Sequence, residues 1–234
     1  MDADQALKQI ATYQYGQSRK PLIVVAEEVR DSYSNSERRK FLRKALAALL
    51  SSDATIDCKR FVCEQLSIIG TGEEVPALAK LLTDEEMSHV ARIALERIPD
   101  PAADAALRDA LDKAKGKILI GVINSLGVRR DRGAVGALVK LMADGDERVA
   151  EAAAAALGKI GGLEAADALA KAKGKASPKV RATVVDSLLR CAERFLDEGK
   201  KDIAAKIYSG LCSRAEVDHV RASASRGLEK AQSR

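Results

Sequence analysis

Leucine returns at a fixed interval in this chain. Leu66, Leu95, Leu126, Leu157 and Leu188 are separated by 29, 31, 31 and 31 residues, each inside a similar local pattern. A second ladder, Leu78, Leu107, Leu138 and Leu169, keeps step with it at 29, 31 and 31. Two apolar positions locked in phase at a period near 31 define a helix–turn–helix unit copied along the chain. One such hairpin cannot bury its apolar face alone, so copies must stack on their neighbours. The predicted fold class is all-α: a right-handed alpha-alpha superhelix, a solenoid of about six helical-hairpin units.

The unit is clearest at 146–173. Asp146 is placed to accept a backbone N–H at the start of the first helix. Val149, Ala153, Leu157 and Ile160 follow at i, i+4, i+8 and i+11, one apolar stripe of a helix. Gly161-Gly162 breaks that helix, and Ala165, Ala166, Leu169 and Ala172 make the stripe of the second. Other copies are broken at the same phase by different residues: Gly70-Thr71-Gly72, Pro99-Asp100-Pro101, and the stretch from Val128 to Gly133. Asp100 suits a cap and Pro101 the first helical position. Thr83 with Glu86 fits a capping box, and Ser177-Pro178 opens a further unit.

The ends depart from this pattern, as capping repeats do. Residues 3–15, 21–33 and 36–51 read as helices that keep the period poorly. The expected organisation is N-terminal capping helices over 1–56, repeats over 57–213, and a C-terminal half-repeat over 214–234 that is truncated or docks on something. Its stripe of Val220, Ala224 and Leu228 would be covered on one side only, which predicts a dimer through that end.

Composition agrees with thin layers between stacked helices. Apolar residues make up 47% of the 234 residues but aromatics only 3%, so Ala, Leu, Val and Ile must fill the core. Charged residues reach 31%, enough to solvate a large surface, and the net charge of +5 supports an acidic partner weakly. Cys58, Cys63, Cys191 and Cys212 form no CxxC pair and no zinc-spaced cluster. Cys58 and Cys191 occupy apolar columns of the repeat and read as buried, reduced thiols. No signal peptide opens the sequence and no segment is apolar enough to span a bilayer. The chain therefore reads as soluble and cytoplasmic, although an exported parent with its signal removed gives the same reading.

Residues 146–161, DERVAEAAAAALGKIG, resemble short HEAT repeats of the kind found in phycobilin lyase subunits. The resemblance rests on the acidic cap, the Val, the Ala run and the Leu-Gly-x-Ile-Gly ending; it covers 57–213 well and the first 56 residues loosely. It departs at Leu126-Gly127-Val128-Arg129-Arg130 and at residues 95–99, where the final glycines are replaced. The resemblance implies a HEAT-like solenoid serving as an interaction scaffold, with second helices lining the concave face. Deoxyhypusine hydroxylase resembles this fold but needs paired His-Glu motifs, and here His89 and His219 are each followed by Val. The HEAT-like DNA glycosylases use aromatic residues in a basic groove, and 62–194 contains no aromatic. Phycobilin lyase activity normally belongs to a pair of subunits, and this chain carries no separate catalytic signature.

Two surface features remain. Two residues after each ladder leucine of the second helices stand Lys80, Asp109, Lys140 and Lys171, with Arg108 beside the odd Asp. They make a broken basic row that can meet carboxylates or phosphates, although Lys is also simply a good helix former on a wet face. The loop Arg129-Arg130-Asp131-Arg132 can grip an anion bidentately, or instead cap helix carbonyls and pair with residues such as Asp100 and Asp144. No catalytic, metal or cofactor constellation emerges. The expected function is a non-catalytic protein–protein interaction scaffold binding through its concave face. The alternatives are nucleic-acid backbone binding through the basic row and an accessory subunit of a phycobilin-lyase-like enzyme.

Overall fold

A computed structural model describes residues 2–143, 145–213 and 216–233. These residues contain helices and short 3-10 turns, with no strand among them. They fall into two compact units, Met1–Ser125 and Leu126–Arg234.

The first unit contains α1 (Ala3–Ile10), α2 (Lys20–Asp31), α3 (Ser36–Leu50), α4 (Ile56–Ile69), α5 (Val75–Ala79), α6 (Ser88–Arg97) and α7 (Pro101–Leu111). The division falls within α8 (Gly116–Arg129). The second unit contains α9 (Val135–Met142), α10 (Glu147–Ile160), α11 (Gly162–Ala172), α12 (Pro178–Asp197), α13 (Lys201–Leu211) and α14 (Asp218–Gln232). First helices pack on first helices, α4 on α6 and α10 on α12, while second helices α5 and α7, and α9 and α11, run beside each other. Every leucine of both ladders is buried, none more than 3% exposed. Among the described residues, no helix is long and apolar enough to cross a membrane.

Most predicted caps are in place. The side chains of Asp146, Asp100 and Ser177 accept from the backbone N–H groups of Arg148, Ala102 and Val180. Thr83 is not a cap: Asp84 Oδ1 accepts from the N–H groups of Glu86 and Met87, both at 2.9 Å, and the helix starts only at Ser88. The reciprocal capping box lies instead at Thr71 and Glu74, before α5.

The helix expected over 3–15 stops at Ile10. The chain beyond it is held against the start of α4, where Thr55 Oγ1 donates to the Tyr13 carbonyl and Asp57 accepts from the Tyr15 N–H at 2.9 Å. The C-terminal expectation is also corrected. Val220 and Ala224 are buried and Leu228 is half-buried, because α14 lays this stripe on α13 and α12. The argument for a dimer through an uncovered stripe therefore loses its premise.

The end of α8 explains the departure at Leu126–Arg130. Arg130 adopts φ +56°, its N–H donates to the Gly127 carbonyl, and the Asp131 N–H donates to the Leu126 carbonyl. That pair of bonds closes a helix with one left-handed residue, normally glycine. Gly161, 31 positions later, is left-handed with φ +69°.

Candidate interaction surface

In the second unit the loops that join each first helix to its second helix follow one another. They lie at 130–134 after α8, at 161 between α10 and α11, and at 198–200 between α12 and α13. The middle loop is Gly161-Gly162, which has no side chains, so its neighbours reach over it. Arg194, from α12, donates through Nη1 to the Ile160 carbonyl at 2.8 Å, and a Cβ at Gly161 would lie 2.3 Å from that same nitrogen. Arg130 and Arg132 approach from the preceding loop and Lys200 from the following one. With Glu164 and Glu198 these four cations border a cleft of about 500 Å³, floored by Val135, Ile160, Leu163, Phe195 and Ile203. Lys200 Nζ is 2.6 Å from Glu198 Oε2. That bond, and then the charges of Arg194 and Arg132, hold the Glu198 carboxyl below its ordinary range.

Beside the cleft, a groove of about 390 Å³ runs between α11 and α13. Leu163, Ala166 and Ala170 of α11 face Ile203, Ile207 and Leu211 of α13, and Leu188 of α12 contributes to the lining. Leu163 is 55% exposed, an apolar side chain left in water at the junction, and together with Ile203 it lines both depressions. The rim carries Asp167, Asp202, Lys206 and Lys173. Lys173 is committed elsewhere, since its Nζ donates to the Gly210 carbonyl at 2.9 Å and to Glu216 at 3.0 Å. In the first unit a comparable groove of about 450 Å³ runs between α5 and α7, walled by Val75, Pro76, Ala102 and Ala106 with Lys80, Asp109 and Lys113 at its edges.

The residues singled out in the sequence divide accordingly. Arg130 and Arg132 converge on the cleft, and Lys80 stands at the α5–α7 groove. Arg129 and Arg108 are half-buried and line neither. Lys140 and Lys171 are exposed on α9 and α11, away from both depressions of their unit. Lys80 and Arg108 belong to one unit and Lys140 and Lys171 to the other. Asp100 is a helix cap, and Asp144 lies outside the described residues.

Arg194 and Lys200 escaped the sequence reading. A loop repeating at 31 would fall at 192, but α12 is 20 residues long and carries the next loop to 198–200. Cys58, Cys63 and Cys191 are buried, and burial pushes their thiols up to about 11, 12 and 11; Cys212 is half-buried. Among the described residues, no group of three or more His, Cys, Asp or Glu side chains is placed to hold a metal ion.

Stacked hairpins in common register, with grooves between their second helices, define an all-α helical-repeat protein. Residues 105–189 match the family model of HEAT repeats. Among solved structures, lipovitellin, in a study of its lipid–protein interactions, superposes with a TM-score of 0.66 at 16% identity over 99% of this chain. This chain spans only 27% of that one. The complex of CpcE and CpcF of phycocyanin lyase from Nostoc sp. PCC7120 gives 0.49 at 16% identity, covering 99% of this chain and 95% of that one. An archaeal HEAT-like repeat protein from Thermococcus onnurineus NA1 gives 0.44 at 15%, covering 99% and 97%. At 16% identity the likeness to lipovitellin is one of fold. No curated protein matches the sequence.

Proposed function

We propose that this chain is a non-catalytic scaffold that binds a protein partner through the second helices of its hairpins, with the α11–α13 groove as the principal seat. The observation that carries this reading is the open apolar groove itself, with Leu163 in water and Ile203 and Ile207 half-buried at its wall. A solvent-facing trough between two helices suits the apolar stripe of a third helix, read at i, i+3, i+4 and i+7. Its small residues, Ala166 and Ala170, let such a helix approach closely.

Selection of displayed peptides of about four helical turns on the full chain tests this. Enriched peptides should carry an apolar helical stripe, and Leu163→Asp or Ile207→Asp should abolish their binding while the chain keeps its helical circular dichroism spectrum. Enrichment without helical spacing, or binding indifferent to both substitutions, would sink the reading. Nucleic-acid backbone binding predicts something else: affinity for generic duplex DNA that falls steeply as salt rises.

A further inference from the structure

Charge is divided unevenly between the two units. Residues 1–125 hold 18 basic and 19 acidic side chains, whereas residues 126–234 hold 21 and 15. The whole positive excess of the chain therefore lies in the unit that carries the α11–α13 groove. Within that unit it has a focus. Arg130, Arg132, Arg194 and Lys200 meet Glu164 and Glu198 in the cleft, four cations against two carboxylates. Lys200 is paired with Glu198, and the six charged side chains on the cleft lining sum to +2. The cleft also receives the start of α11, where Gly161 supplies no side-chain cap.

The groove and the cleft share Leu163 and Ile203, so whatever lies along α11 and α13 ends among these arginines. The rest of the rim does not extend the positive field, because Asp167 and Asp202 offset Lys206, and Lys173 is held by Glu216. Apolar contact along the trough is thus joined to a single cationic terminus.

From this juxtaposition we infer that the partner is an amphipathic helical segment with an acidic end, two or more Asp or Glu side chains, seated in the Arg130–Arg132–Arg194–Lys200 cleft. The inference rests on the scaffold reading above and adds the chemistry and polarity of the partner. Carboxylates suit the site because arginine forks bind them bidentately, and a partly walled cleft over an apolar floor screens such pairs less than open water does. The groove supplies affinity, while the cleft fixes which end of the helix lies where.

The test uses the peptides selected on the full chain. Acidic residues should cluster at one end of the enriched sequences. Replacing those residues by Gln should weaken binding at least about tenfold, and the double variant Arg130→Glu/Arg132→Glu should lose affinity for the acidic peptides by a similar factor. The same variant should bind a peptide with Lys at that end better than the parent chain does. Arg130 and Arg132 are solvent-facing, and Arg194, which holds the Ile160 carbonyl, is left intact so that the fold is preserved.

Peptides that need Leu163 and Ile207 but show no acidic end, or bind the double variant equally well, overturn this inference and leave the scaffold reading standing. Peptides indifferent to Leu163→Asp overturn both. Binding of generic duplex DNA at moderate salt that disappears in the double variant also overturns it, by assigning the cleft to phosphates.

Discussion

Arg130 and Gly161 occupy the same place in successive copies of the repeat, and both take a left-handed backbone. The bonds from Arg130 and Asp131 back to Gly127 and Leu126 demand that conformation, which an L side chain tolerates only at a cost. Arg130→Gly should therefore raise the unfolding free energy read from urea melts, by about 0.5–1 kcal/mol once the greater freedom of glycine in the unfolded chain is deducted.

Glu216 is a second informative residue. It is 4% exposed, yet it accepts from Lys173 at 3.0 Å and from Arg181 at 2.7 Å. Burial alone would raise its pKa, but those two donors outweigh burial and hold the carboxyl below its ordinary value of 4.5. A depressed carboxylate stabilises the fold above that ordinary value and ceases to do so as pH falls through the lower, folded one. Glu216→Gln should cost about 2 kcal/mol near neutral pH, and the gap to the parent chain in denaturant melts should close as pH drops below 4.5. Nothing in the repeat period marked Glu216, because its partners lie 43 and 35 residues earlier on other elements.

Between elements, one small contact sets the spacing of first helices. A Cβ on Gly127 would lie 3.0 Å from the Ala156 Cα, and one on Gly158 would lie 2.6 Å from the Ser187 Cβ and 2.9 Å from its Cα. The residue just after a ladder leucine thus meets the residue just before the ladder leucine of the next copy. In the first unit the same register brings Ser125 Oγ within 2.6 Å of Glu96 Oε1, with Arg92 donating to Ser125 from the same helix as Glu96. Gly158→Ala should lower stability by about 1–3 kcal/mol, because the added methyl meets backbone as well as side chain. Gly136→Ala on α9, where an added Cβ meets nothing within 4 Å, should instead gain a few tenths of a kcal/mol from helix propensity. Thermal melts of the two variants read the contrast directly. Gly161 was legible in the sequence as a helix break; that Gly158, in the same Leu-Gly-x-Ile-Gly pattern, is a packing glycine was not.

At the scale of the whole molecule, a repeat protein owes its stability to nearest neighbours, so protection from solvent should follow how many neighbours an element has. The α10 helix buries nine of its 14 residues and packs on α9, α11 and α12, whereas α1 and α14 stand at the chain ends. Amide hydrogen exchange should be slowest in α10 and fastest, among the helices, in α1 and α14. Uniform protection along the chain would contradict this.

The sequence by itself determined the all-α repeat class, the two buried leucine columns, most helix caps and the burial of Cys58 and Cys191. Those properties are local or periodic, and a 3.6-residue stripe or a capping side chain acts within a few positions of itself. Tertiary structure alone decided which charges share a surface. The long α12 shifts the loop that brings Lys200 to Arg130 and Arg132, and the bare backbone of Gly161-Gly162 makes room for Arg194. It also decided that α14 lays its stripe on α12 and α13 instead of leaving it open. Where side chains from distant parts of the chain meet depends on helix lengths and packing distances, which a repeat period does not encode.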